Sequence, residues 1–342
     1  MSTTKTILGL ILVGCMLQHC SGRQMLKETA AATAQHSSSS APLPPVLPPL
    51  PAPGPWDPAL LKPQTRTDLD AWDTIHRRLL KLKLGYEAGG GLDVAAYGDS
   101  ILMTLLGDPL TGGPLLGWEA SRAAWQRAYG GRRIGIFAIG GDRPVNLLRR
   151  LRHGEGPRGL NPKGILLLIG VNDILPISAL YPGNDTLVSQ FASAGIQLCV
   201  RELQKQAPNA TVIVLGLLPF QPPPPDFTPG AYDRVVRLTN RATRQWVQAQ
   251  NSLLLKYKDC GHLFLLPNST TLNSTLVPDG IHPSGPGAPV LIGCLRRALA
   301  QWNITVGAWP APPPRPPGAA RHRRHVSTAP GHPLPTLALP VA

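Results

Sequence analysis

Five short apolar runs recur along the chain, each followed by a stretch with helical spacing, and this alternation constrains the fold more than any other feature. The runs are LDVAAYG (92–98), RIGIFAIGG (133–141), GILLLIG (164–170), TVIVLGLLP (211–219) and SLLLKY (252–257). A strand that is apolar at successive positions, rather than at alternate ones, is buried on both faces. The helical patterns are TDLDAWDTIHRRLLKLKLG (67–85), SILMTLLG (100–107), RPVNLLRRLRHG (143–154), DTLVSQFASAGIQLCVRELQKQ (185–206), AYDRVVRLTNRATRQWVQAQ (231–250) and APVLIGCLRRALAQW (288–302). Together they predict an α/β fold: a three-layer α/β/α sandwich built on a five-stranded parallel sheet. In such sheets sites form at the carboxyl ends of the strands.

The 39 prolines bound this region, because they cluster in 42–63, in Pro222–Pro225 and after Trp309. Such stretches favour extended polyproline II and build no core. The sequence therefore divides into a leader (1–22), a Pro/Ser-rich disordered linker (23–64), a folded domain (65–304) and a Pro/Arg-rich disordered tail (305–342), with Pro222–Pro225 in a loop. The leader has one lysine, an apolar run from Ile7 to Leu17 and small residues at Ser21 and Gly22. That is the outline of a secretory signal, and it is too short to span a bilayer. Asn-x-Ser/Thr sequons at Asn184, Asn209, Asn268, Asn273 and Asn303 point the same way, as candidate glycan acceptors. The expectation is a secreted protein rather than a membrane-anchored one. Cys15 and Cys20 leave with the leader, and Cys199, Cys260 and Cys294 remain. Three thiols allow one bridge, with Cys260–Cys294 the favoured pair and Cys199 a buried thiol on the apolar side of its helix.

The formal charge is +14. Part of it sits in RHRRH (321–325), and Arg149, Arg150 and Arg152 fall on what read as helix surfaces. No zinc-finger spacing, RNA-binding aromatic motif or recognition helix accompanies the charge, so specific nucleic-acid binding is not expected. The basic tail suits association with an acidic matrix or membrane surface. No His/Cys/Asp cluster has metal-ligand spacing, and neither a metal nor another cofactor is expected.

Four segments carry chemistry, each beside a strand end or helix start. YGDSI places Ser100 after the first strand, AIGGD places Gly140 and Gly141 after the second, and LIGVND places Asn172 after the third. VPDGIHPSG places Asp279 and His282 before the last helix. Each has an ordinary explanation by itself: Ser100 a helix cap, the two glycines a tight turn, Asn172 a turn residue with Asp173 capping the next helix, His282 a surface imidazole. Together they supply what acyl transfer needs. A serine hydroxyl is a poor nucleophile until a base takes its proton, and His282 can be that base, with Asp279 fixing its tautomer. The N–H groups of Ser100 and Gly141 and the Asn172 amide are candidate donors to the oxyanion formed on attack.

GDS, GGD, GVND and DGIH, in this order, resemble the four blocks of the SGNH/GDSL hydrolase superfamily. FAIGGDRPVNLLRRLRHGE with TVIVLGLLP resembles the catalytic subunits of the intracellular platelet-activating-factor acetylhydrolase. The likeness covers about residues 70–300 and implies a flavodoxin-like sheet. It also implies Ser100 as nucleophile, Asp279 and His282 as its partners, and an oxyanion hole of Ser100, Gly141 and Asn172. Asp173 stands where those subunits have a second asparagine. The function implied is a serine esterase that cleaves short acyl groups, such as acetyl, from the oxygen esters of a lipid or carbohydrate through an acyl-enzyme. The contrasting reading is a non-catalytic matrix glycoprotein that keeps the fold as a binding module. Trp118, Trp125 and Phe220 are candidates for an acyl site, but at helical spacing they read first as core.

Overall fold

The computed structural model describes residues 54–107, 118–221 and 230–310. The leader, most of the linker, Pro222–Pro225 and the basic tail lie outside the described residues.

All five apolar runs form strands: β1 Val94–Gly98, β2 Ile134–Ala138, β3 Gly164–Leu168, β4 Thr211–Leu215 and β5 Leu255–Lys258. They pair in parallel in the order β2-β1-β3-β4-β5. Every residue of β1, β2 and β3 is buried, as strands covered on both faces require. β5 is an edge strand and only Leu255 in it is fully buried. The chain runs from β1 to one side of the sheet and returns to the other at β3, so a crevice opens at the carboxyl ends of these strands.

The helices are α1 Trp72–Ala88, α2 Ser100–Met103, α3 Glu119–Tyr129, α4 Pro144–Arg150, α5 Val171–Leu180, α6 Asp185–Gln206, α7 Asp233–Ala249 and α8 Gly287–Gln301. α3 packs on α8, while α4, α5 and α7 all pack on α6, which explains why α6 is buried on most of its surface. α7 shows the opposite pattern: its buried residues, Val235, Val236, Thr239, Thr243 and Val247, form one stripe. α3 and α5 are not evident as helices from the sequence. The buried face of α3 includes only small residues beside Trp125 and Tyr129, and α5 carries Pro176 in its interior. No helix among the described residues is long and apolar enough to cross a membrane.

Ordered structure reaches past the composition-based boundaries at both ends. Trp56 is buried edge-to-face on Phe191, with ring centroids 5.7 Å apart. Asp57 caps a 3-10 turn at Pro58–Leu61. At the other end Gly307 accepts from the Arg133 N–H at 2.8 Å, and Trp309 stacks on Tyr86 at 5.9 Å. Proline content alone misses these tryptophans, which give the flanking segments apolar surface to bury.

Cys260 and Cys294 are bridged, and Cys199 is free and buried. The bridge joins the end of β5 to α8 across 34 residues, a loop that contains both Asp279 and His282. By loop-closure entropy a loop of that length is worth about 3–4 kcal/mol.

Candidate active site

Gly98 ends β1 where no side chain fits: a Cβ there would lie 2.3 Å from the Leu168 carbonyl oxygen of β3. The chain then turns into α2. Asp99 caps it by accepting the Ile101 N–H at 3.0 Å, and Ser100 is its first residue. On the far side of the crevice, Asp279 closes a tight turn on itself. Its Oδ1 accepts from the N–H groups of Ile281 (2.9 Å) and His282 (2.7 Å). Glycine is needed between them, since Gly280 has φ +80° and a Cβ would sit 1.9 Å from the Gln221 carbonyl oxygen. Gln221 in turn donates to the Gly280 carbonyl at 2.7 Å, pinning this turn to the loop after β4.

The two halves meet. His282 Nε2 lies 2.8 Å from Ser100 Oγ, and His282 Nδ1 lies 2.6 Å from Asp279 Oδ2. Burial alone would raise the Asp279 pKa. The imidazole and the two backbone N–H groups outweigh it and hold the carboxyl at about 2, ionised at neutral pH. An ionised Asp279 selects the tautomer with a proton on Nδ1, leaving the Nε2 lone pair facing the Ser100 hydroxyl.

The glycine turn adjoins the serine: a Cβ on Gly140 would lie 3.7 Å from Ser100 Cβ. Gly141 has φ +75°. One amide N–H of Asn172 donates to the Asp142 carbonyl at 2.9 Å, which ties the start of α5 to this turn. Asp173 does not cap α5. The cap position is Gly170, and Asp173 lies within the first turn, where its buried carboxylate pairs with Arg143. Its charge has a partner from the glycine turn's flank, and so it has no need of the helix N-terminus. Of the sequon residues, Asn184, Asn209, Asn268 and Asn303 are exposed and Asn273 is half-buried.

Of the three aromatic candidates for an acyl site, Trp118 lies beside the imidazole of His282, with ring centroids 5.5 Å apart, whereas Trp125 and Phe220 are buried core. Two features escape sequence reasoning. Arg66 donates to the Gly140 carbonyl. Beneath the glycine turn, Arg150 is fully buried rather than on a helix surface. It bonds Asp142, Glu155 and the Gly98 carbonyl, while Trp72 and His76 complete the network from α1. Helical spacing gives no sign of this, because the partners come from a turn and from the chain after α4.

Asp99 is also fully buried, and among the described residues its Oδ2 has no hydrogen-bond partner. Burial raises its pKa to about 7, against the pull of the Ile101 N–H and of His282. A carboxyl raised in the folded state stabilises fully below its unfolded pKa of about 4 and loses that contribution as pH rises through about 7. Asp99→Asn keeps the capping oxygen and cannot ionise. It should therefore raise the melting temperature by roughly 5 °C at pH 8 and leave it nearly unchanged at pH 4.5. An equal shift at both pH values in calorimetry would refute the assignment.

The sequence pattern of the GDSL-like Lipase/Acylhydrolase family matches residues 96–290, more than half of the 342-residue chain. Among curated proteins, the chain is 35% identical over 95 residues to platelet-activating factor acetylhydrolase IB subunit alpha2 of Gallus gallus, covering 28% of this chain and 36% of that one. It is 28% identical over 125 residues to subunit alpha1 of Rattus norvegicus, covering 36% and 45%. The aligned stretches thus span less than half the length of these relatives. A solved GDSL-like lipase from Bacteroides thetaiotaomicron superposes with a TM-score of 0.47 at 17% identity, over 65% of this chain and 97% of that one.

Proposed function

We propose, from the premise that this chain belongs to the GDSL-like lipase/acylhydrolase family, that it is a serine ester hydrolase acting on short-chain oxygen esters of a lipid or a carbohydrate. The observation that carries this reading is the unbroken hydrogen-bonded series Asp279–His282–Ser100, closed between residues 182 positions apart.

His282 removes the hydroxyl proton as Ser100 Oγ attacks the acyl carbon. The resulting oxyanion takes hydrogen bonds from the N–H groups of Ser100 and Gly141 and from the Asn172 amide. The imidazolium, held by ionised Asp279, passes its proton to the departing alcohol and leaves an acyl-serine. Water then repeats the sequence with the acyl-enzyme as its target and releases the acid. The reading needs no metal, since the N–H donors stabilise the charge that develops on the carbonyl oxygen. Relatives named for acetyl hydrolysis support acetyl as the acyl group. The leader-like first 22 residues and the sequons support export.

A fluorophosphonate probe should add one label to the wild type and none to Ser100→Ala by intact mass. In a series of p-nitrophenyl esters, turnover should be highest for acetate and fall with chain length. A non-catalytic binding module predicts neither labelling nor turnover that depends on His282, and either of those results would replace this reading.

A further inference from the structure

The segment before α1 lies outside the region that matches the family, residues 96–290, yet it reaches the site. Gln64 donates its N–H to the Val145 carbonyl at 3.1 Å and accepts from Asn146 Nδ2 at 3.1 Å. These two bonds stitch the segment to the first turn of α4, two residues before Arg66. Arg66 then turns its guanidinium onto the glycine turn. Its Nε and Nη2 grip the Asp68 carboxylate, with Nε at 2.9 Å, and Nη1 donates to the Gly140 carbonyl.

The bonded carbonyl belongs to the same peptide unit as the Gly141 N–H. We propose that Arg66 is a positioning residue for ester hydrolysis, acting through that peptide to aim and strengthen the Gly141 N–H as an oxyanion donor. The inference rests on the ester-hydrolase reading and goes beyond it, by giving an oxyanion donor a charged support from the segment outside the family match.

Two physical effects act together. A cation hydrogen-bonded to a carbonyl oxygen draws electron density through the amide and leaves its N–H more positive, and such chains reinforce each other in a low-dielectric site. Nη1 also fixes the plane of the peptide, because the two-point grip of Asp68 holds the guanidinium from the opposite edge. The backbone agrees with this arrangement. Gly141 sits at φ +75°, and a Cβ on it would come within 2.4 Å of Arg66 Nη1. The guanidinium thus occupies the space a side chain would take, so the bare peptide and its cation fit as a pair. Asp142, next in the chain, is buried and adds to the field that keeps Arg66 charged.

The test uses the full-length chain with p-nitrophenyl acetate and compares Arg66→Met, Arg66→Gln, Arg66→Lys and Arg66→Ala. Losing an oxyanion donor outright lowers kcat on the order of 100- to 1,000-fold. Losing its support should lower kcat about tenfold in Arg66→Met, with KM within about twofold, because only the transition state bears the oxyanion. Arg66→Lys should retain most of the activity, with Arg66→Gln between the two. Methylguanidinium should restore kcat saturably in Arg66→Ala and leave the wild type unaffected. An active wild type with Arg66→Met within twofold of its kcat overturns the inference and leaves the ester reading standing. Loss of kcat in step with the melting temperature, without rescue by Lys or methylguanidinium, shows Arg66 to be only a strap and also overturns it. A wild type inactive on every ester tested removes the ester reading itself.

Discussion

Ser100→Ala, His282→Ala and the double variant should all fall to one floor, about 10⁴- to 10⁶-fold below the wild type in kcat for p-nitrophenyl acetate. The reason is that the two groups act as a unit. Without the imidazole at 2.8 Å, the hydroxyl has no acceptor for its proton, and without the hydroxyl the imidazole has no nucleophile to activate. The residual rate belongs to the oxyanion donors and substrate binding, which neither substitution removes. Asp279→Asn should lose less, because His282 keeps its place. An Asn oxygen can still accept the N–H groups of Ile281 and His282, and what disappears is the ionised partner, whose pKa is held down at about 2. Additive losses in the double variant, with all melting curves matching the wild type, would mean that the two side chains serve separate steps.

The sheet and this constellation are legible in the sequence for the same reason. Strands buried on both faces must be apolar at almost every position, so β1 to β4 stand out, and reactive groups at their carboxyl ends follow recognisable turns. The Cys260–Cys294 bridge is likewise the pairing that the sequence favours among Cys199, Cys260 and Cys294. What could not be read depends on contacts between distant segments. Arg150 stands between Arg149 and Leu151, a setting that looks like a helix surface, and its burial is decided by carboxylates from elsewhere. Arg66 and Trp56 follow or interrupt a proline-rich stretch whose composition says linker. Trp118 is a candidate for an acyl site in the sequence, but the reading that it is core gives way only to its contact with His282.

The largest stability effect should come from Arg150→Met. Arg150 and its partners Asp142 and Glu155 are each 0% exposed, so the guanidinium bridges two carboxylates in the interior, with Trp72 also on Asp142 and His76 on Glu155. Removing one member of such a set strands the others as unpaired charge, at about 3–5 kcal/mol. In a domain of this size that is a fall of about 10 °C in melting temperature at pH 7.5. The deficit should shrink in acid. Burial already raises the Asp142 pKa to about 6 with Arg150 in place, and losing the cation raises it further. A carboxyl whose folded pKa lies above its unfolded value of about 4 stabilises fully below that value and loses the contribution as pH rises through the folded pKa. The variant should therefore approach the wild type near pH 4.5 and diverge above pH 6. Arg150→Met/Asp142→Asn/Glu155→Gln, with all three charges of this set removed, should regain much of the lost stability at pH 7.5. Its activity should recover less, because the Asp142 carbonyl holds the Asn172 amide and Arg150 also holds the Gly98 carbonyl, two residues before Ser100. A melting temperature for Arg150→Met within 2 °C of the wild type at pH 7.5 would show that the two carboxylates are relieved by something other than this guanidinium.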